Sequence, residues 1–348
     1  MDKLKEMTEK FPTRYWNDSC SLKELTYAIE RGATGATTNP VIVKQVLEAE
    51  FDSYKEYISG LVDTMKFATE DEIAWTVIEK MAVDGAKLLE PVFEPENCKG
   101  RISIQTNSKF FRNTEKMVEQ ARYFATLAPN MQVKAPATAA GVKAFEEMTY
   151  HGVNVNATVS FTYTQAMAIG AAIERGLKRR EAEGKDVSNM GPVCTIMIGR
   201  LDDWMKHVVN RDNIAIDPCA LEYAGILNAK KAYKEYSEKG YRTKVLTAAY
   251  RSPLHWTEFI GADMVLTIPY KYQVRFNNSD FEVKSAIDNE VNPDYLDQLM
   301  KIPDFVKAYE KMDVEEFDSY GPVNITLNQF LEGYDELIKI IRRLMVRY

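Results

Sequence analysis

The sequence predicts an α/β protein built on a closed parallel barrel, the (β/α)8 or TIM barrel. Short apolar or β-branched runs alternate with longer segments of helical periodicity, which is typical of strand–helix–strand units in a parallel sheet. Eight such steps fit within the 348 residues, and a barrel of this kind typically needs about 250. An open doubly wound sheet is the competing architecture, but neither a G-x-G-x-x-G nor a G-x-x-x-x-G-K-[ST] loop follows a strand.

Each predicted strand is followed by a helical or polar stretch. The strands cover residues 15–18, 33–38, 102–106, 132–135, 153–159, 193–199, 244–249 and 264–268. The remaining residues fall into a helical insertion at about 44–99, a segment at 217–240, and C-terminal helices at about 292–348. The last of these ends in an amphipathic helix, which is compatible with self-association into a homo-oligomer and equally with packing over its own barrel. We predict one barrel domain over residues 1–348.

The composition narrows the class of protein. Lysines and arginines number 44 against 51 acidic residues, a net charge of −7, which disfavours nucleic acid as a partner. Apolar runs are too short for a membrane span, and the charged start MDKLKEMTEK lacks the apolar core of a secretory signal. Four scattered cysteines favour free thiols over disulfides, and three distant histidines disfavour a metal site. We expect a cytoplasmic enzyme without a metal.

Lys134 is the first candidate for chemistry. It lies at the end of the apolar strand in MQVKAPAT, and active sites of barrels form at the carboxyl ends of their strands. Burial there disfavours the ammonium and lowers its pKa, as an amine nucleophile that attacks a carbonyl requires. A strand-end lysine that snorkels to solvent is the alternative.

Asp18 ends the first strand in RYWNDSCS and is the candidate acid/base. Capping of the next helix is its alternative role. Ser21 and Glu24 form an S-x-x-E capping box at that helix, which leaves Asp18 available.

Polar and cationic side chains follow other strands. Thr37 and Asn39 end the second strand, and Asn156 and Thr158 are two apart on the fifth, so that both point to one face. These groups suit the hydroxyls of a sugar, or they are satisfied turn and core groups. Arg200 and Arg251 follow strands six and seven and either clamp an anion such as phosphate or form ion pairs, for which Arg200 has Asp202 and Asp203 nearby.

Together these segments resemble the transaldolase family. GATGATTNPVIV is similar to the family's second-strand signature, and VKAPATAAGVKAFEEM is similar to its lysine strand. The similarity runs with gaps from about residue 14 to residue 269. The resemblance implies transfer of a dihydroxyacetone unit from a ketose phosphate to an aldose phosphate without metal or organic cofactor, with sugar phosphates as the partners.

The resemblance also implies roles for residues. Lys134 would form the Schiff base, Asp18 would act as acid/base, and Thr158 would help to position a catalytic water. Asn39 and Asn156 would bind hydroxyls of the donor, and Arg200 and Arg251 would hold its phosphate; Thr195 takes the place of a serine of the family.

Two positions depart from the family pattern. Gln105 stands where transaldolases carry a glutamate that works through a water, and it is similar to the fructose-6-phosphate aldolase branch. Met197 matches neither the phenylalanine of transaldolases nor the tyrosine of that branch. Four hypotheses follow: a transaldolase; an aldolase that releases dihydroxyacetone to water; an enzyme for a differently substituted, for example sulfonated, ketose; and a non-catalytic sugar-phosphate binding protein.

Overall fold

Eight short parallel strands form a closed barrel in the computed structural model of the chain, which describes residues 2–95 and 98–346. Each strand pairs with the next, and β8 closes the ring on β1. The strands are β1 (Arg14–Asn17), β2 (Gly35–Thr37), β3 (Arg101–Gln105), β4 (Met131–Pro136), β5 (Val155–Ser160), β6 (Val193–Ile196), β7 (Lys244–Thr247) and β8 (Val265–Ile268). The predicted (β/α)8 barrel is confirmed.

Helices surround this barrel, as its strand–helix alternation requires. In chain order they are α1 (Lys3–Lys10), α2 (Leu22–Glu30), α3 (Pro40–Ala49), α4 (Phe51–Thr64), α5 (Glu70–Leu89), α6 (Thr114–Phe124), α7 (Ala139–Tyr150), α8 (Tyr163–Ala182), α9 (Ile198–Arg211), α10 (Pro218–Leu221), α11 (Ala224–Glu238), α12 (Leu254–Thr257), α13 (Tyr270–Asn277), α14 (Pro293–Leu299), α15 (Pro303–Tyr309) and α16 (Gly321–Met345). Within the described ranges, none of them has both the length and the apolar character needed to cross a membrane.

Two groups of helices are additional to the strand–helix alternation of the barrel. Helices α3, α4 and α5 stand between β2 and β3, and α14, α15 and α16 follow β8. The apolar face of α16 packs on α3, α4 and α5, so the amphipathic C-terminal helix lies over its own barrel. α16 also contacts α9 and β5, and its bonds to Arg200 at the start of α9 bring it to the carboxyl ends of the strands.

Every predicted strand differs from the observed one at one end or both, by one to three residues. β6 stops at Ile196 and α9 begins at Ile198, whereas the prediction extended the strand to residue 199. The run Val-Cys-Thr-Ile-Met-Ile is apolar except for Thr195, and burial alone does not distinguish a strand from the first turn of a buried helix.

β4 runs one residue past its predicted end at residue 135, so that it includes Pro136. Proline lacks only the N–H donor, and its neighbours keep the ladder intact. The Thr106 N–H donates to the Lys134 carbonyl (2.9 Å), and the Ala137 N–H donates to the Thr158 carbonyl (2.6 Å).

We expect Gly333→Ala to destabilise the fold by about 1–3 kcal/mol through overpacking. Gly333 lies where α16 crosses α3, and a β-carbon there would be 2.7 Å from Val41 Cγ2 and 3.1 Å from Val41 Cα. Gly60 in α4 is the matched control, since no atom lies within 4 Å of the β-carbon position. Gly60→Ala should stabilise by up to about 1 kcal/mol through helix propensity. Urea unfolding of both variants measures the difference, and equal midpoints would show that α16 does not pack this closely.

Candidate active site

Lys134 lies near the carboxyl end of β4, and its side chain is only 3% exposed. Its register neighbours are Gln105 on β3 and Asn156 on β5. Burial lowers the pKa of Lys134 to about 8; the negative charge of Asp18 opposes this lowering and the positive charge of Arg200 adds to it. The side chain is therefore buried beside a carboxylate and does not snorkel to the surface, and much of its amine is neutral near pH 8.

Asp18 directly follows β1, where its N–H donates to the Ile268 carbonyl of β8 (3.2 Å). Its carboxylate accepts a hydrogen bond from Thr37 Oγ1 (2.7 Å), and the Thr37 and Thr267 hydroxyls are also 2.7 Å apart. Burial raises the pKa of Asp18, whereas Lys134 and the Thr37 hydrogen bond lower it. The carboxylate is therefore held in a fixed place between strands and next to the amine.

Ser21 caps α2 as predicted, because its Oγ accepts from the Glu24 N–H (3.3 Å). The return half of the predicted capping box is replaced: the Ser21 N–H donates to Ser19 Oγ (3.1 Å) instead of to Glu24. Asp18 thus has no part in this cap.

Gln105 and Thr158 are buried on the strands that flank β4. Gln105 Nε2 donates to Ser108 Oγ (3.4 Å), and neither Gln105 Oε1 nor Thr158 Oγ1 has a partner within the described part of the chain. The next residue, Val159, has φ +54°, an unusual conformation for a β-branched residue, at the point where the register between β5 and β6 shifts. Such strain concentrates at functional sites.

Asn156 and Thr195 are fully buried and bonded to each other. Thr195 Oγ1 donates to Asn156 Oδ1 (2.7 Å), and Asn156 Nδ2 donates to Ser103 Oγ (2.9 Å). This network links β3, β5 and β6, and it uses the oxygen and one N–H of the Asn156 amide, which leaves its second N–H to donate to a ligand. The structure therefore places these two predicted binding residues in the barrel interior as a connected support.

Asn39 caps α3, and its Oδ1 accepts from the Ile42 N–H (3.0 Å). The side chain is partly exposed and lines the same cavity as Lys134. Because the cap uses only the oxygen, the amide NH2 is left to donate to a ligand.

Arg200 lies in the first turn of α9 and is partly exposed. Its Nη1 donates to Thr326 Oγ1 (3.2 Å) and to Gln329 Oε1, both on α16. Burial lowers the pKa of Arg200, and the positive charge of Arg251 adds to this effect. The two arginines also line the same cavity.

Arg251 follows β7, and its Nε and Nη2 donate to Asp203 Oδ2 (2.9 and 2.7 Å). Its Nη1 donates to the Tyr250 carbonyl (3.0 Å). The ion pair considered for Arg200 thus belongs to Arg251, while Arg200 is held by the neutral side chains of α16.

A cavity of about 540 Å³ opens at the carboxyl ends of the strands. It brings together most of the predicted site residues: Asp18, Asn39, Lys134, Met197, Arg200 and Arg251. Two other hollows, of about 590 and 640 Å³, flank Tyr123 on the outer helices and are lined by helix and loop residues. The lysine, the carboxylate and the arginines single out the first cavity as the site.

Sequence reasoning missed several residues of this site. Tyr250 lines the cavity and is buried, and the only signal for it is its position beside Arg251. Phe330 of α16 also lines the cavity, and Thr326 and Gln329 hold Arg200 from the same helix. Nothing in the sequence near α16 indicates that it reaches the barrel mouth.

The donor set favours amine chemistry. Over the described residues, no group of three His, Cys, Asp or Glu side chains is arranged to hold a metal ion. What the cavity offers is a partly neutral amine, a carboxylate with a raised pKa and two cations. Fold and site together define the class: a TIM barrel with a buried lysine, a carboxylate and two arginines in one cavity at the carboxyl ends of its strands.

Comparison with known proteins names the family. The family described as Transaldolase/Fructose-6-phosphate aldolase matches residues 15–319, and the chain belongs to this family of enzymes. It is 26% identical to Transaldolase 2 of Streptomyces avermitilis over 77% of this chain and 79% of that protein. It is 26% identical to Transaldolase 2 of Nostoc punctiforme over 79% of this chain and 80% of that protein. Identity to the transaldolase of Thiobacillus denitrificans is 28%, over 70% of this chain and 73% of that protein.

Proposed function

We propose that the protein is a transaldolase that moves a dihydroxyacetone unit from a ketose phosphate, of the fructose 6-phosphate or sedoheptulose 7-phosphate type, to an aldose phosphate. The observation that carries this proposal is the buried Lys134, whose pKa is lowered to about 8, in one cavity with Asp18, Arg200 and Arg251. The family and its relatives named transaldolase support the same reaction.

In the proposed reaction Lys134 Nζ attacks the ketone of the donor, and loss of water gives a Schiff base. Asp18 then takes the proton of the C4 hydroxyl, the C3–C4 bond breaks, and its electrons pass to the protonated imine to form an enamine. An aldose phosphate leaves. The enamine attacks the acceptor aldehyde, whose oxygen takes the proton back from Asp18, and hydrolysis of the resulting Schiff base releases the new ketose phosphate and the free Lys134 amine. These reaction steps need neither a metal nor an organic cofactor.

The remaining residues of the candidate site bind the substrate or a water, or hold the catalytic groups in place. The Asn39 amide donates to a hydroxyl of the donor, and Thr37 holds the Asp18 carboxylate in place. Asn156 and Thr195 act through their shared network and stiffen the strands beside Lys134. Gln105 and Thr158 hold the water of imine formation and hydrolysis, because each has a free oxygen near β4. Arg200 and Arg251 bind the phosphate.

The test is reductive trapping. The protein is incubated with fructose 6-phosphate, treated with borohydride, digested, and searched for a modified peptide. A three-carbon adduct on Lys134 supports both Schiff-base formation and donor cleavage. An adduct elsewhere, or none with this sugar and a panel of other ketoses in folded protein, would refute the proposal in favour of a binding protein.

A second candidate is an aldolase that releases dihydroxyacetone to water. It is favoured by Gln105, which cannot transfer a proton as the glutamate of transaldolases does. The two reactions differ in their dependence on an acceptor. A transaldolase consumes the donor much faster when erythrose 4-phosphate is present, whereas an aldolase accumulates free dihydroxyacetone in equal amount with glyceraldehyde 3-phosphate without it.

A third candidate changes only the anion of the sugar. Met197 lines the cavity, and Asp203 already neutralises Arg251, so that the pocket is less cationic than two arginines suggest. A sulfonate carries one charge where a phosphate near neutral pH carries nearly two. Comparison of kcat/KM for phosphorylated, sulfonated and unsubstituted ketoses distinguishes these substrates.

We expect imine formation on Lys134 to rise with pH and to level off above about pH 8. The ammonium cannot attack a carbonyl, and below a pKa of about 8 the neutral fraction falls about tenfold per pH unit. The measurement is the rate of adduct formation on the Lys134 peptide with dihydroxyacetone and cyanoborohydride, between about pH 6 and pH 10. A rate that still climbs tenfold per unit at the top of this range would mean an unperturbed lysine.

A further inference from the structure

Two fully buried residues that have no part in the proposed reaction are connected to the Arg251 backbone by hydrogen bonds. They are Asp202 on α9 and His255 on α12. The Arg251 N–H donates to His255 Nδ1 (3.1 Å), and His255 Nε2 lies 2.8 Å from Asp202 Oδ2. Asp202 Oδ1 accepts from the Gly225 N–H at the start of α11 (2.8 Å). These bonds form one continuous chain from the loop after β7 to α11.

The chain has a defined direction. Because a backbone N–H donates to Nδ1, the proton of His255 is on Nε2 and is donated to Asp202. Asp202 then accepts at both oxygens, from His255 and from Gly225. Burial raises the pKa of Asp202, and the His255 hydrogen bond opposes that rise. Burying the side chains of Asp202 and His255 is unfavourable unless all their hydrogen bonds are made. This series of hydrogen bonds therefore fixes the loop after β7, α9, α12 and the start of α11 relative to one another.

Both arginines of the candidate site lie on the segments that these hydrogen bonds connect. Arg200 lies two residues before Asp202 on α9, and Arg251 is bonded directly to His255. A β-carbon at Gly199 would lie 2.0 Å from the Ala249 carbonyl oxygen, so α9 begins against the loop after β7. Ala249 itself has φ +67°, a strained conformation for alanine that the surroundings must maintain.

We propose that Asp202 and His255 are positioning residues that fix the Arg251 backbone relative to Arg200 and thereby set the separation of the two guanidinium groups that bind the substrate anion. This inference rests on the proposed function only in taking the arginine pair as an anion site. Two successive aspartates hold Arg251: Asp203 bonds its guanidinium, and Asp202 holds its backbone through His255.

Three substitutions test it. In His255→Asn the amide oxygen falls near the place of Nδ1 and accepts from the Arg251 N–H, whereas in His255→Gln the amide group reaches Asp202 but leaves that N–H unbonded. In Asp202→Asn one of the two acceptor oxygens becomes an NH2 donor, so the side chain cannot accept from both His255 and Gly225, and one of these two hydrogen bonds is lost or reversed. His151→Gln, at an exposed histidine on another face, is the matched control.

The readouts are the affinity for inorganic phosphate by calorimetry, KM and kcat for fructose 6-phosphate, and trapping of unphosphorylated dihydroxyacetone on Lys134. We expect His255→Gln and Asp202→Asn to weaken phosphate binding and raise KM roughly tenfold, the effect of one buried hydrogen bond. Their kcat and dihydroxyacetone trapping should stay within about twofold of the parent. His255→Asn should recover most of the phosphate affinity.

Equal losses in His255→Asn and His255→Gln would overturn the inference, because a purely structural role does not distinguish them. Unchanged phosphate affinity in His255→Gln and Asp202→Asn would overturn it as well. If the His255 variants do not fold, Asp202→Asn with the same split between KM and kcat decides. Failure of the proposed function is separate: the parent protein would then bind phosphate without converting any ketose.

Discussion

Lys134→Met is expected to reduce kcat/KM for any ketose phosphate on the order of 10³-fold or more, because a covalent nucleophile is lost. The mass adduct on the peptide of residue 134 should disappear completely. Methionine has a similar length and carries no charge, so the variant avoids burying an ammonium that is only 3% exposed in the parent. The fold should therefore be as stable as the parent, and the loss should be chemical.

Lys143→Met is the matched control, since Lys143 is exposed on α7. It should retain the activity and the adduct of the parent. Binding of fructose 6-phosphate by Lys134→Met should persist, because Arg200 and Arg251 are unchanged. A variant that still turned over the donor would contradict the Schiff base, and a parent that binds but never reacts would support the binding-protein hypothesis.

Local pattern was sufficient to predict the barrel. Alternating strand and helix signals place all eight strands within a few residues of where they lie, because parallel strands buried on both faces appear as short apolar runs between amphipathic segments. The errors occur where burial is continuous. After Ile196 the chain stays apolar but turns into α9, and only packing against neighbouring segments distinguishes these states.

The site was predictable to the extent that it lies at strand ends. Lys134 and Asp18 follow from the rule that the carboxyl ends of barrel strands meet at one mouth. The contacts between distant segments were not predictable, because periodicity carries no information on them. The bond from Arg200 to Thr326 spans 126 positions, and the pairing of Arg251 with Asp203 spans 48.

These long-range contacts change the charge and the freedom that Arg200 and Arg251 have to bind an anion. Two arginines after strands six and seven suggest a doubly charged clamp, but Asp203 neutralises one and α16 holds the other. Arg200 donates two hydrogen bonds to Thr326 and Gln329 of α16, so the proposed anion site depends on how α16 packs. Substitutions along the face of α16 that meets α3 are therefore expected to affect substrate affinity as well as stability.

Asp18→Asn separates imine formation from carbon–carbon cleavage. We expect kcat to fall by about 10²–10⁴-fold, the usual contribution of a general acid/base. Imine formation should survive, because the negative charge of Asp18 raises the pKa of Lys134 and its removal leaves more of the amine neutral. Asparagine still accepts from Thr37 Oγ1 and preserves the local structure. Borohydride trapping with fructose 6-phosphate should therefore yield the intact six-carbon adduct in place of the three-carbon one.

The ratio of these two adducts is a sharper measurement than the rate alone. Asp280→Asn, at an exposed carboxylate after α13, serves as the control and should give the three-carbon adduct of the parent. Loss of both adducts in Asp18→Asn would mean that Asp18 organises the amine and does not transfer the proton. A three-carbon adduct formed at the parent rate would remove Asp18 from the reaction. The buried Tyr250 phenol, which also lines the cavity, would then be tested by substitution with phenylalanine.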